Sequence, residues 1–350
     1  MSLPLTSPPD SLCILRLSAV GDISHTLPLV RTLQAVWPKT HLTWLIGKGE
    51  YQLVYDIPDI EFITFDKKAG WRGYLDVRQQ LRGRRFDVLL HMQMSLRASM
   101  LSLFVNSPIK LGFDRERAKD LQWLFTNHSI AYQARQHVID SFFGFSEALG
   151  IHEKHLRWDI PIPDDARNAV HERLPAGKPY LVISPCSSMA YRNWDAHRYA
   201  AVADYASENY GLAIVLSGGP SAIEHEYGQI IGQQCRCEVT NLIGKTSLKE
   251  LLALLHDARL VIAPDAGPAH LANAVGTPVI GLYATTNPDR ARPYNSPELV
   301  ANKYPEAILG KFGKTVSEVP WGTRVRDRGT MERIQINDVT RLLDQFLSDT

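Results

Sequence analysis

Short apolar runs alternate with amphipathic segments along most of the chain. Apolar runs typical of buried strands occupy 12–17, 41–46, 86–91, 179–184, 212–219, 260–263 and 277–283. Periodic apolar positions predict helices over 27–37, 70–83, 195–210, 248–256 and 268–274. Strands that alternate with helices favour parallel sheets with helices on both faces. The pattern therefore predicts an α/β protein.

The pattern of strands and helices restarts near residue 180, which suggests two domains. The segment 159–165 carries two prolines and three acids, a composition that suits an extended linker. We therefore predict two doubly wound domains, 1–165 and 166–350, facing each other across a cleft, and we considered that the last helix packs back on the N-terminal domain. Ligands of such folds bind at the carboxyl ends of the strands.

Composition narrows the functional classes. The 38 Lys and Arg nearly balance the 37 Asp and Glu, so no global basic field points to a nucleic-acid partner. Four cysteines are too few for a disulfide scaffold, and Cys235-x-Cys237 is not the spacing of a zinc knuckle. The N-terminus lacks a signal-peptide pattern, and no apolar run approaches the roughly 20 residues that cross a bilayer. We expect a soluble cytoplasmic protein.

The strand-to-helix segment 263–276 contains the most informative loop. Asp265 occupies a position typical of an N-cap, Gly267 allows close backbone approach, and His270 lies in the first helical turn. Free N–H groups and the helix dipole make such an N-terminus an anion site. The alternative is a well-capped core helix with an incidental histidine.

Two further loops follow strands of the second half. Ser187 and Ser188, with Arg192, offer hydroxyls and a guanidinium that can bind a phosphate or diphosphate; the alternative is a serine-rich capping turn with a solvated arginine. In 217–224, glycines precede Glu224, which could accept hydrogen bonds from ribose hydroxyls or simply lie on a solvated helix. No G-x-G-x-x-G follows a strand, and Walker A and H-E-x-x-H motifs are absent from the sequence.

The first half supplies a carboxylate and basic side chains. Asp22 follows the first predicted strand, either as a reactive carboxylate or as a helix N-cap. The segment 64–86 holds seven basic residues against two acidic ones, and further basic residues lie within 112–119. Such concentration in a neutral chain suggests an anionic partner, with a solvated helix face as the alternative.

Taken together and in order, these motifs resemble one family. Leu-Ser-Ala-Val-Gly-Asp ending at Asp22, His-Thr-Leu-Pro over 25–28, Trp194 after a Ser-Ser turn, and Pro-Asp-Ala-Gly-Pro-Ala-His over 264–270 resemble the ADP-heptose:lipopolysaccharide heptosyltransferases of glycosyltransferase family 9. The resemblance covers nearly the whole chain. The segment 319–327 resembles the branch near heptosyltransferase I. The resemblance implies a GT-B fold of two Rossmann-like domains, with an N-terminal acceptor domain and a C-terminal ADP-sugar domain.

The resemblance also implies roles for individual residues. Asp22 matches the catalytic base. The residues that match the donor site are Ser187, Ser188, Arg192, Glu224, Asp265, Ala266, Gly267 and His270, where Arg192 replaces a lysine and Ala266 a common hydroxyl residue. The residues that we assign to the acceptor are Arg16, His25, Lys67, Lys68, Arg72, Arg115 and Arg117.

The implied activity is inverting transfer of L-glycero-D-manno-heptose from ADP-heptose to Kdo of the lipopolysaccharide inner core. We expect no cofactor beyond this co-substrate and no essential metal, because the loops carry no acidic ligand cluster. The expected partner is anionic Kdo-lipid A, reached by a monomer at the inner face of the inner membrane. The alternatives are a transferase with another sugar nucleotide or acceptor, a nucleotide-sugar epimerase and a non-catalytic nucleotide-binding protein. The epimerase needs a second acid/base group, and the binding protein has no need of Asp22.

Overall fold

The computed structural model describes residues 3, 5 and 7–348. The chain forms two compact units, one that ends at Pro161 and one that begins at Ile162. Within the described residues, each unit contains a parallel sheet of six strands with helices between them. No helix in that part of the chain is both long and apolar enough to cross a membrane.

The first unit has its earliest strand at the centre of the sheet. Its strands are β1 (Ser11–Leu15), β2 (His41–Gly47), β3 (Ile60–Phe65), β4 (Val88–His91), β5 (Ile109–Gly112) and β6 (His128–Ser129). Its helices are α1 (Val20–Val36), α2 (Lys48–Val54), α3 (Trp71–Gln80), α4 (Leu96–Ser102) and α5 (Val138–Ala148). The order β3-β2-β1-β4-β5-β6 reverses direction between β1 and β4, where a doubly wound sheet opens its ligand crevice.

The second unit repeats this topology. Its strands are β7 (Tyr180–Ile183), β8 (Ala213–Leu216), β9 (Val239–Asn241), β10 (Leu260–Pro264), β11 (Val279–Tyr283) and β12 (Val300–Asn302). Its helices are α6 (Asp164–His171), α7 (Ala196–Tyr210), α8 (Ala222–Gln234), α9 (Leu248–His256), α10 (Gly267–Ala274), α11 (Pro288–Ala291), α12 (Tyr304–Phe312) and α13 (Ile336–Ser348). The order β12-β11-β10-β7-β8-β9 again places the first strand of the unit beside its fourth.

The first helix differs most from its prediction. Helix α1 begins at Val20, well before position 27, where the apolar periodicity starts. Nearly every side chain from 23 to 33 is buried, so no polar face marks the helical period. The carboxylate of Asp22 therefore lies in a helical first turn, while β1 ends at Leu15 and leaves Arg16 in the connecting loop.

The last helix packs within its own unit. Helix α13 contacts α7, β11 and β12, and Val339, Leu342 and Leu343 are buried in the core of the second unit. The structure therefore places this helix on the sheet that precedes it in the second unit. The reason is its single apolar face, which the edge of the second sheet buries.

Helix α9 begins with a reciprocal cap that makes a testable contribution to stability. Ser247 Oγ accepts the Glu250 N–H at 3.2 Å, and Glu250 Oε2 accepts the Ser247 N–H at 2.6 Å. Ser247→Ala should lower the free energy of unfolding by about 1 kcal/mol because it removes the cap acceptor. Urea denaturation measures the change. Ser247→Thr keeps the hydroxyl and should lose much less; equal losses in both variants would contradict the capping role.

Candidate functional site

The carboxylate of the first unit lies beside the carboxyl end of β1. Asp22 is the third residue of α1, and its carboxylate accepts the N–H of Ala19, the N-cap residue, at 3.3 Å. The carboxylate also pairs with Arg16 Nη2 at 2.5 Å, and Arg16 Nη1 donates to the Met92 carbonyl at 2.6 Å. The Arg16 side chain is 9% exposed and the Asp22 side chain 40% exposed. Arg16 therefore fixes a carboxylate that remains accessible to a substrate.

The structure gives Arg16 and His25 internal roles. The guanidinium of Arg16 lies over the Phe142 ring at 5.3 Å, so its charge is held between Asp22 and α5. His25 is buried in α1, with its ring edge against His137 at a centroid distance of 6.1 Å. We had assigned both residues to the acceptor. Their burial makes Arg16 a positioning residue for Asp22 and His25 part of the α1–α5 packing.

Three of the predicted acceptor residues are exposed at one end of β3. Lys67 and Lys68 lie in a short turn after β3, and Arg72 lies in the first turn of α3. Asp66 holds this turn by accepting the Lys68 N–H at 2.9 Å. Because the carboxyl ends of parallel strands share one edge, the three cations lie at the same edge of the first sheet as the first turn of α1, which carries Asp22.

The basic residues after β5 divide into two groups. Arg115 is exposed and stacks on the Trp123 ring at 4.6 Å, which leaves its charge open to a ligand. Arg117 pairs with Asp114 and donates to Ser141 at 2.9 Å and to the Ala131 carbonyl at 2.8 Å. Arg117 thus joins three backbone segments, which favours a structural role over the acceptor contact that we predicted.

The charge count of 64–86 also overstates the free positive charge. Arg84 pairs with Glu61 and holds the pKa of that carboxyl at about 2. This ion pair joins the segment that follows α3 to strand β3.

In the second unit, a buried ion pair links two strand-end loops. Arg192 Nη1 lies 3.2 Å from Asp265 Oδ2 and donates to the Asp265 carbonyl at 3.0 Å, while His270 Nε2 lies 3.5 Å from Oδ1. Burial disfavours the charged form of Asp265, but His270 and Arg192 outweigh burial and hold its pKa below the ordinary value. Asp265 is therefore not the N-cap that the sequence suggested. The N-cap is Ala266, which has no side-chain hydrogen bond.

The absence of a side-chain cap defines the start of α10. Gly267 begins the helix and Pro268 follows in its first turn. Alanine at the cap position has no side-chain oxygen that could accept the first N–H groups of this helix. These groups and the helix dipole favour an anion at this end.

The serine loop after β7 rests on a buried tryptophan. Trp194 is fully buried, and its Nε1 donates to the Ile334 carbonyl at 3.0 Å. Ser187 is 9% exposed and donates its N–H to Asn193 Oδ1 at 2.8 Å, whereas Ser188 is exposed. The loop is thus anchored at its base, with the Ser188 hydroxyl open to solvent.

Four of the buried side-chain atoms that have no hydrogen-bond partner in the described part of the chain belong to the segments that follow β7 and β11. They are Tyr191 Oη, Arg192 Nε, Asn193 Nδ2 and Asn287 Nδ2. Buried donors in proteins are almost always paired, so a group of unpaired ones indicates a missing acceptor such as a phosphate or sugar oxygen. The sequence analysis missed Tyr191, Asn193 and Asn287. Asn287 could have been found by the same rule as the others, because it follows the carboxyl end of β11.

Glu224 has a local structural role. Its carboxylate accepts the Gly219 N–H at 2.6 Å and the Ser221 hydroxyl at 2.5 Å, so it closes the loop between β8 and α8. A Cβ added at Gly218 or Gly219 would lie 3.1 Å from a carboxylate oxygen of Glu224. The absence of a side chain at these two glycines leaves room for the Glu224 carboxylate. The remaining lone pairs of that carboxylate are available to a ribose.

Comparison with known proteins identifies close similarities. The family model of glycosyltransferase family 9 (heptosyltransferase) matches residues 74–320. The lipopolysaccharide core heptosyltransferase OpsX of Haemophilus influenzae is 42% identical over 338 residues, 96% of this chain and 97% of that protein.

Two solved structures share the fold. A family 9 glycosyl transferase from Veillonella parvula superposes with a TM-score of 0.80 at 23% identity, covering 97% of this chain and 98% of that one. The Escherichia coli heptosyltransferase WaaC, solved with ADP, has a TM-score of 0.73 at 19% identity, covering 96% and 99%.

Proposed function

Since the chain belongs to glycosyltransferase family 9, the heptosyltransferases, we propose that it transfers a heptose from ADP-heptose to a Kdo sugar of the lipopolysaccharide inner core. The observation that carries this proposal is the group of buried, unpaired donors around Arg192 in the second unit. Such donors suit the diphosphate and sugar of a nucleotide-activated donor. The relative WaaC was solved with ADP, which is the leaving group of the proposed reaction.

The donor diphosphate would bind at the start of α10. The uncapped N-terminus of that helix, Arg192 and the hydroxyls of Ser187 and Ser188 supply charge and hydrogen bonds for the negative charge that develops on departing ADP. The Asp265 carboxylate holds the side chains of Arg192 and His270 in position. We propose that this set takes the role that a divalent cation has in other transferases, so that transfer needs no metal or other cofactor.

Asp22 would act as the general base. The acceptor hydroxyl oxygen attacks the anomeric carbon, its proton passes to the Asp22 carboxylate, and the bond from that carbon to the diphosphate oxygen breaks with inversion. The exposure of the carboxylate supports this role, because the base has to reach a hydroxyl of a bound substrate. Arg16 holds the carboxylate but is itself too buried to meet the acceptor.

The acceptor would be an anionic sugar on a lipid. The exposed cations Lys67, Lys68, Arg72 and Arg115 can pair with carboxylate and phosphate groups of Kdo-lipid A. The name of the relative OpsX describes a heptosyltransferase of the lipopolysaccharide core. Each Kdo sugar carries one carboxylate, which these cations could bind. We propose that the enzyme works as a monomer on the cytoplasmic side of the inner membrane, in peripheral contact with the lipid.

A direct assay tests this function. The purified protein is incubated with ADP-heptose and Kdo-bearing lipid A in the presence of EDTA, and both lipid mass and ADP release are measured. The proposal expects a lipid heavier by one heptose and an equal amount of ADP. A parallel reaction contains an acceptor already carrying heptose on Kdo. Product only with that acceptor would overturn the Kdo assignment, and product only without EDTA would overturn metal independence.

Arg16→Lys tests the positioning role. Lysine retains the charge but cannot bind Asp22 and the Met92 carbonyl together, so kcat should fall by up to about 10²-fold through misplacement of the base. The KM for ADP-heptose should change little. A variant that instead raises the acceptor KM at unchanged kcat would return Arg16 to the acceptor site.

A further inference from the structure

Two cysteines and one aspartate meet far from the loops just described. Cys235, Cys237 and Asp204 each offer a ligand atom, and these three atoms lie within 4.8 Å of one another. Cys235 follows the end of α8, Cys237 precedes β9, and Asp204 lies in the neighbouring helix α7. The cluster therefore lies at the amino-terminal edge of β9, whereas the donor loops lie at the carboxyl ends of the strands.

The loop between α8 and β9 is folded around the carboxylate. Asp204 is 6% exposed, and its Oδ1 accepts the N–H groups of Arg236 at 2.8 Å and of Cys237 at 3.0 Å. These bonds hold the loop that carries both cysteines against the carboxylate. The two cysteines are half-buried, with apolar neighbours from the core of the second unit. The Cys235 thiol donates to the Ala200 carbonyl at 3.7 Å, so a metal would replace this weak hydrogen bond.

We propose that Cys235, Cys237 and Asp204 form a binding site for a thiophilic divalent cation of the zinc class, with water as the fourth ligand. Two sulfurs and one oxygen are a donor set that such cations prefer, at bond lengths of about 2.3 Å to sulfur and about 2.0 Å to oxygen. Ligand atoms of such a tetrahedron lie about 3.3–3.8 Å apart, so three atoms within 4.8 Å of one another reach this geometry through side-chain shifts of roughly 1 Å.

Binding would replace two protons with one cation. Each thiol gives up its proton to solvent as its sulfur joins the metal, so one divalent cation enters and two protons leave. The hydrogen bonds from the loop's N–H groups to Asp204 would orient the carboxylate, as outer hydrogen bonds do for metal-bound carboxylates. Arg236 pairs with both Asp204 and Glu208, and its exposed side chain can move toward Glu208 when the cation binds.

The two thiols remain available for a metal. Both cysteines are free thiols in the structure, with no disulfide between them. The site is separate from the donor loops, so we assign the cation to the folding of the second unit and not to sugar transfer.

Metal titration of the full chain tests the site. The reduced, metal-free protein is titrated with ZnCl2 against a chromophoric chelator, and separately with CoCl2, whose thiolate charge-transfer absorption reports sulfur ligation. The proposal expects one Zn²⁺ per chain, a cobalt–thiolate band, and a rise in melting temperature with Zn²⁺ but not with Mg²⁺.

Variants separate this site from adventitious binding. Cys235→Ser/Cys237→Ser should abolish the stoichiometric Zn²⁺ and the cobalt band. Asp204→Asn should weaken binding by more than the roughly 10- to 100-fold that loss of an outer-sphere partner costs. Cys186→Ala, which changes a buried cysteine elsewhere in the same unit, should retain both signals. Stoichiometric binding in the double variant, or absence of binding by wild-type protein with four titratable thiols, would overturn the proposal. These readouts do not depend on transferase activity.

Discussion

Replacing Asp22 with asparagine should lower kcat for heptose transfer by about 10²–10⁴-fold, the contribution expected of a general base. Asparagine has nearly the same shape and can still accept the Ala19 N–H, so the start of α1 should remain folded. It cannot take a proton from the acceptor hydroxyl. Single-turnover rates with saturating ADP-heptose would measure the loss directly.

The same variant separates chemistry from binding. ADP affinity, measured by calorimetry, should stay at the wild-type value because the donor groups that we propose belong to the second unit. Asp10→Asn, a change at an exposed aspartate just before β1, serves as the matched control and should leave kcat unaltered. If Asp22→Asn turned over at the rate of this control, the general-base assignment would fail.

Replacing Asp265 with asparagine should lower the free energy of unfolding of the second unit by about 3 kcal/mol, because removal of one member of a buried ion pair leaves the other charge uncompensated. The side chains of Asp265 and Arg192 are both almost inaccessible to solvent. The loss should appear in guanidinium denaturation. ADP binding should weaken as well, because Arg192 and His270 lose the group that orients them.

The effect of Asp265 on stability should depend on pH with a definite sign. Its pKa in the folded protein lies below the ordinary value of 3.8, so the contribution is complete above that value and is lost as the pH falls through the lower, folded-state pKa. The difference between wild type and Asp265→Asn should therefore shrink in strong acid. In a double-mutant cycle, Asp265→Asn and Arg192→Met together should lose less than the sum of the single losses. Additive losses would contradict direct coupling.

Seven of the strands were predictable because they are short, apolar and buried in a parallel sheet. The pattern missed five others, which are shorter or only half-buried: β3, β5, β6, β9 and β12. The predicted run 260–263 and strand β10 nearly coincide, and helix α9 matches its predicted range of 248–256. The predicted range of helix α1 began seven residues too late. The helix is enclosed on nearly all sides, so its sequence has no polar stripe to mark a period of 3.6 residues.

The site was only partly predictable, because the ion-pair partner of a charged side chain can lie far from it in the sequence. Asp265 has the position of a cap in the sequence, but its carboxylate pairs with Arg192, 73 residues earlier. Arg117 and Arg84 counted as free charges in a basic segment, yet each has an acidic partner in the folded unit. The location of the strand-end loops was predictable, since topology alone assigns them to one edge of the sheet.

The position of β1 between β2 and β4 has a consequence for synthesis of the protein. Nascent chain that has passed β3 holds half of the first sheet, with one side of β1 still lacking its neighbour until β4 emerges. The hydrogen bond from the Ser11 N–H to Asp87, 76 residues apart, forms only then. Closing so long an interval is slow, which leaves the exposed edge of β1 open to chaperones or to pairing with another chain. The second unit passes through the same stage at β7, so each nascent chain exposes an unpaired central strand twice.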